Sequence, residues 1–181
     1  VWGAMYRWAG VAIDNRPELW VHEGGRDVLE DFGERFGFRD MFDRVFTVRE
    51  YEPEQGFTAG GIDVIPLRLP HYTLETYGFR LSANGKTIAY SGDSGPSERL
   101  AELARDTDLF VCEATLDRGE DDGQPRGHLS VDEALPKVDK FLDQSALADR
   151  HSIRVIHGFG QGTLRKAVAG NQLRGAGNNG T

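Results

Sequence analysis

Thr87-Ile88-Ala89-Tyr90-Ser91-Gly92-Asp93-Ser94-Gly95 decides how this chain is read, because an apolar strand delivers a carboxylate into a tight, glycine-flanked turn. The run Thr87 to Tyr90 is β-branched and aromatic, as a half-buried strand requires. After it, Gly92 and Gly95 let the backbone turn sharply, and Asp93 is presented at the strand's end. Such an aspartate serves as a helix N-cap or as an oxygen ligand shared by divalent cations.

Working upstream, Asn84-Gly85 is a strong hairpin-turn pair joining a strand at Tyr77 to Leu81 to the strand at Thr87. Ile62 to Leu69 is a further strand, followed by Pro70 and His71, so an imidazole stands at a strand terminus. Val45 to Val48 also reads as a strand, and Leu19 to His22 as a short one closed by Gly24-Gly25. Between them Val28, Leu29, Phe32 and Phe36 recur at helical spacing, which predicts an amphipathic helix over Arg26 to Phe36, stopped at Gly37. Trp2 to Ala12 is aromatic and mildly helical.

Downstream of Asp93 the pattern alternates: a helix at Ser97 to Arg105, a strand at Leu109 to Cys112 and a helix at Val131 to Leu142. A strand at Ile153 to Ile156 follows. The expected order is therefore a sheet first and α/β units afterwards. Ser130 and Glu133 have capping-box spacing at the start of the Val131 helix, which Pro136 should disturb. The polar, acidic stretch Arg118 to Arg126 reads as a connector.

Composition narrows the function classes. The 181 residues are 39% hydrophobic and 28% charged, as in a soluble globular protein, with a net charge of -8. That balance excludes a duplex-binding surface spread over the whole molecule while leaving room for a local basic patch. One cysteine, Cys112, rules out an intramolecular disulfide and a cysteine-built zinc site and fits the cytoplasm. No apolar run approaches the about 18 residues that span a bilayer. The missing initiator Met and the Gly/Asn-rich end suggest a fragment with a flexible tail over 171–181.

Taken together, His71, Tyr77-Gly78-Phe79-Arg80, Tyr90-Ser91-Gly92-Asp93-Ser94-Gly95, Cys112-Glu113-Ala114-Thr115 and Gly127-His128-Leu129-Ser130 resemble the metallo-β-lactamase superfamily. More narrowly, they are similar to its ribonuclease Z-like and phosphodiesterase-like branch. The resemblance implies an α/β fold, a partial αβ/βα sandwich, whose family site holds two metals, usually Zn2+. It implies that His71 ligates one metal, that Asp93 bridges, and that His128 is a non-ligand catalytic histidine oriented by Glu113. The substrate would be a phosphodiester, RNA or a cyclic nucleotide. The family's His-x-His-x-Asp-His signature does not occur in these residues, so weak or no metal binding and impaired hydrolysis are expected of this chain alone.

A second resemblance lies in Ile153-Arg154-Val155-Ile156-His157-Gly158-Phe159-Gly160-Gln161-Gly162-Thr163-Leu164-Arg165-Lys166. A histidine and spaced glycines between a strand and a helix can hold phosphate. The stretch is similar to the small MutS-related (Smr) domain, which implies contact with single-stranded nucleic acid through His157, Gly158, Gly160, Gly162, Arg165 and Lys166. His157 is claimed by both readings, as the last metal ligand or as a loop residue. The expected organisation is a metallo-β-lactamase-like domain over 1–130, a C-terminal α/β segment of Smr-like sequence over 131–170, and the tail. Two functions follow: a metal-dependent phosphodiester hydrolase, or a nucleic-acid-binding module without hydrolase activity. An open sheet edge would also favour a homodimer.

Overall fold

The computed structural model describes residues 16–117, 119–137 and 140. The expected helix at Trp2 to Ala12, the strand at Ile153 to Ile156, and the whole glycine-spaced stretch from His157 to Lys166 lie outside them. The chain divides into two compact units between Gly60 and Gly61.

In the first unit, β1 (Glu18–His22), α1 (Gly25–Glu34) and β2 (Thr47–Tyr51) form a βαβ unit, and a short strand, β3 (Phe57–Ala59), follows. β1 and β2 pair in parallel, with Leu19 opposite Val48 and Val21 opposite Glu50. An α/β unit thus comes before the main sheet, correcting the expected order. Parallel pairing joins residues far apart in sequence, so local patterning does not reveal it. The strand expected at Val45 to Val48 begins two residues later, and Val45 is instead fully buried in the turn before it. Met41, Phe42, Val45 and Val48 form the core, with Leu19, Val21, Leu29 and Phe46 packed against it. Of the expected apolar stripe on α1, Leu29 joins this core, while Val28 is 61% exposed. Stacking of Tyr51 on Phe57 (ring centroids 5.3 Å) and of Phe57 on Trp20 (4.2 Å) adds an aromatic column.

The second unit contains β4 (Ile62–His71), β5 (Leu74–Ala83), β6 (Lys86–Tyr90), α2 (Arg99–Ala104) and β7 (Leu109–Val111), followed by a helix, α3, over 131–137. β4 and β5 are antiparallel from Asp63 opposite Ser82 to His71 opposite Leu74. β5 and β6 are antiparallel around Asn84-Gly85, both residues taking positive φ, as the hairpin pair predicts. β6 and β7 are parallel, with α2 as their crossover. Two antiparallel steps make β4 run with β6, and β7 runs with β6 as well. The carboxyl ends of β4, β6 and β7 therefore lie at one edge of the sheet, where α/β folds place their sites.

α2 buries Leu100, Ala101, Leu103 and Ala104. Leu100 and Leu103 join Leu67 and Leu69 of β4, Ala89 of β6, Leu129 and Ala134 in one core. Each fully buried leucine contributes about 2 kcal/mol of transfer free energy. α3 starts with the expected capping box: Glu133 accepts hydrogen bonds from the Ser130 N–H (2.9 Å) and hydroxyl (3.0 Å). Its helical conformation continues through Pro136 to residue 137. Among the described residues no helix is long and apolar enough to cross a membrane.

Candidate active site

His71 ends β4, Asp93 follows β6 by three residues, and Glu113 follows β7 by two, so the strand directions alone bring them to one edge. His128 reaches the same edge on the segment before α3, which a parallel bridge between Leu116 and Ser130 ties to the residues after β7. Donor atoms of His71, Asp93 and His128 all lie within 4.8 Å of one another. The two imidazoles meet edge-on, with ring centroids 4.9 Å apart.

Backbone hydrogen bonds shape the Asp93 turn. The buried Ser91 donates its N–H to the Val111 carbonyl (2.9 Å), and its hydroxyl oxygen accepts from the Glu113 N–H (3.0 Å). Gly92 then takes φ +60°, a left-handed conformation that suits glycine, and Gly95 donates to the Pro70 carbonyl (2.7 Å). Asp93 is left exposed on the site side of this turn.

Each histidine has one ring nitrogen fixed. His71 Nδ1 lies 2.8 Å from the Gly127 carbonyl, which only accepts, so Nδ1 carries the proton and Nε2 keeps its lone pair. His128 Nδ1 lies 3.2 Å from Glu113 Oε1. That carboxylate also accepts from the Ser94 N–H (2.5 Å) and the Thr115 N–H (3.1 Å), which makes it a fixed acceptor, and its side chain is only 8% exposed. His128 consequently presents Nε2 outward.

The residues present fit a divalent cation. Ligand bonds of about 2.0 to 2.2 Å place the donors of one tetrahedral ion about 3.4 Å apart, which small side-chain rotations reach from a 4.8 Å cluster. Nδ1 anchoring by a carbonyl or carboxylate is the usual support of a ligating or catalytic imidazole. Arranged in this way, the cluster can bind a cation and move a proton beside it.

Residues that the sequence reading set aside complete the site. Asp122, in the stretch read as a connector, accepts from the backbone N–H of Gly127 (3.0 Å) and of His128 (2.8 Å). It also accepts from Arg126 Nε (3.2 Å) and from the Tyr72 hydroxyl. Burial opposes ionisation of Asp122, but the bonds from Tyr72, Gly127, Arg126 and His128 outweigh it and hold the carboxyl well below its ordinary range. Arg126 forms a bidentate pair with Glu133 and donates to the His128 carbonyl (3.1 Å).

Tyr72, next to His71, has φ +50°, a strained conformation for a bulky residue that costs roughly 1 to 2 kcal/mol. Its N–H donates to the Arg126 carbonyl (3.1 Å), and its ring occupies the space beside Gly127, where any Cβ would fall 2.2 Å from Tyr72 Cε2. The Asp122-x3-Arg126 spacing and the Asp-Asp-Gly turn were the available signals. The Tyr72 contact spans about fifty residues and had none.

Residues 10–148 match the family model described as Beta-lactamase superfamily domain, and residues 126–172 match that of the Smr domain. Among curated proteins, the uncharacterized protein ML1173 of Mycobacterium leprae is 37% identical over 91 residues, 50% of this chain and 31% of its own length. Endonuclease MutS2 of Symbiobacterium thermophilum is 60% identical over 40 residues, 22% of this chain and 5% of its own. The chain thus spans about a third or less of these relatives. Solved structures share its fold, two of them as follows. The metallo-β-lactamase fold protein YhfI from Bacillus subtilis has TM-score 0.59 and 18% identity, covering 72% of this chain and 50% of that one. Human tRNase Z, short form, has TM-score 0.55 and 23% identity, covering 71% and 57%. With a family match over most of its length, on a fold shared with those structures, the chain belongs to the metallo-β-lactamase superfamily.

Proposed function

We propose that this chain carries part of the active site of a metal-dependent hydrolase of phosphodiester bonds, with RNA or a cyclic nucleotide as substrate. The observation that carries the reading is the convergence of His71, Asp93 and His128 within 4.8 Å at the carboxyl edge of the sheet. The likeness to human tRNase Z supports the substrate class. His71 through Nε2 and Asp93 through its carboxylate hold the cation, Zn2+ in this reading. Bound there, a divalent ion would neutralise charge on the phosphate and lower the pKa of a water. His128 Nε2 takes a proton from the attacking water and passes it to the leaving oxygen, and Glu113 stabilises the transient imidazolium through Nδ1.

Among the described residues His71 and Asp93 are the cation donors of this reading, so hydrolysis by the chain alone should be slow. Its test is turnover of bis(p-nitrophenyl) phosphate with added Zn2+ or Mn2+. Asp93→Ala should abolish the metal-dependent rate, and a rate indifferent to that substitution would refute the assignment.

A second reading concerns residues 131–170 and rests on the Smr match over 126–172. There His157, Gly158, Gly160, Gly162, Arg165 and Lys166 grip single-stranded nucleic acid, and 1–130 is scaffold. Arg165→Ala with Lys166→Ala should weaken single-stranded RNA or DNA binding. Unchanged binding in that double variant removes this reading and leaves His157 as a metal ligand or a structural residue. A cytoplasmic setting fits the lone cysteine, and a homodimer would show as a doubled mass in sedimentation.

A further inference from the structure

The segment 126–128 carries His128, and its backbone is held from two sides. On one side the Arg126 carbonyl accepts from the Tyr72 N–H (3.1 Å), and the Gly127 carbonyl accepts from His71 Nδ1 (2.8 Å). On the other, a single carboxylate, that of Asp122, accepts from the N–H of Gly127 (3.0 Å) and of His128 (2.8 Å), and its second oxygen accepts from Arg126 Nε (3.2 Å). The Tyr72 hydroxyl donates to the same carboxylate, so Asp122 touches both segments that bear the two histidines. Its side chain is 10% exposed. Glu113 fixes the rotation of the His128 ring, whereas nothing in Glu113's contacts fixes the backbone that carries the ring.

We propose that Asp122 is a positioning residue: by gathering the Gly127 and His128 amides, the Arg126 guanidinium and the Tyr72 hydroxyl on one carboxylate, it sets the separation of His71 and His128. The inference rests on the reading of His71, Asp93 and His128 as the reactive centre, and it deepens that reading. A loop acid of purely structural value would stabilise the fold without affecting the imidazole. A positioning acid governs whether His128 Nδ1 stays on Glu113, now at 3.2 Å, and hence which ring nitrogen is free. The neighbouring Asp121, exposed, bound to the Gly123 N–H (2.8 Å) and 3.5 Å from Arg126 Nε, supplies the control, because its substitution removes a charge beside the same guanidinium and leaves the bonds to the Gly127 and His128 amides in place.

The experiment compares the 181-residue chain with Asp122→Asn and Asp121→Asn by long-range 1H–15N spectra of the histidine rings at pH 8. It also compares kcat and KM for bis(p-nitrophenyl) phosphate with added Zn2+. The unaltered chain and Asp121→Asn should show His128 protonated at Nδ1 alone. Asp122→Asn should populate the Nε2–H form and lower kcat by about 10-fold or more at unchanged KM, the usual cost of losing an outer-shell partner. If Asp122→Asn does not fold, Tyr72→Phe, which deletes only the hydroxyl donated to Asp122, should show the same change in smaller measure. A His128 ring that keeps the Nδ1–H form in the folded Asp122 variant, or in Tyr72→Phe where that variant stands in, overturns the inference. Absence of hydrolysis in the unaltered chain overturns the hydrolase reading instead, while the ring spectra still decide the role of Asp122.

Discussion

Gly127→Ala probes the packing of the candidate site in a way that can be worked from the structure. Gly127 is not among the residues of positive φ, so alanine meets no backbone strain, and the whole cost is steric. The new Cβ would fall 2.2, 2.4 and 2.5 Å from Tyr72 Cε2, Cζ and Cδ2. Carbon atoms rest at about 3.5 to 4.0 Å, so the ring must retreat by about 1.5 Å. It cannot retreat freely, because its hydroxyl is on Asp122 and its N–H on the Arg126 carbonyl. Overpacking of this kind costs about 2 kcal/mol, which lowers Tm by about 4 to 8 °C in a chain of this size.

In a Tyr72→Ala background the obstacle is gone, and the same substitution should be neutral or stabilising by about 0.5 kcal/mol through the unfolded chain. The assay is a double-mutant cycle by urea and thermal unfolding, which isolates the Gly127–Tyr72 coupling. Equal losses in both backgrounds, or no loss in the unaltered one, would refute the placement of Tyr72 against Gly127.

The remaining predictions concern acidity, thiol reactivity and the core. Asp122 and Glu133 both have depressed carboxyl pKa values; for Glu133 burial opposes ionisation, and bonds from Arg126 and Ser130 overcome it. Their contribution is therefore complete above the unfolded values of about 3.9 and 4.3 and is lost as pH falls through the lower folded values. Amide spectra of residues 126–133 should accordingly hold from pH 7 to about 4 and change only at lower pH, as the two carboxylates take up protons. Burial, and then the charge of Glu113, push the Cys112 thiol up to about 12, so Ellman's reagent at pH 8 should label it only after urea is added. Leu100→Ala removes a side chain with no exposed surface from the α2 contact and should cost about 2 to 5 kcal/mol by urea unfolding.

Much of the site was legible because its signals are local. The Asp93 turn shows itself in Gly92 and Gly95, the hairpin in Asn84-Gly85, and the start of α3 in Ser130 and Glu133. Apolar alternation gave β4 and β6 and hence the placement of His71 and Asp93 at strand ends. What stayed hidden is long-range. The parallel pairing of β1 with β2 depends on contacts about thirty residues apart, and Val45 is buried in a turn where its side chain reads like a strand residue. Asp122 and Arg126 look like solvated loop charges until the fold lays Tyr72 and His128 beside them. The amides that Asp122 gathers are backbone groups, which carry no sequence signal.

A Zn2+ titration of the chain, followed through the ring resonances of His71 and His128, tests the central claim most directly. The account predicts that the His71 ring shifts at Nε2, with the adjacent His128 ring perturbed while it keeps Nδ1 on Glu113, in a single weak binding event that Asp93→Ala removes. Rings that stay unperturbed by Zn2+, or a response that survives Asp93→Ala unchanged, would contradict it.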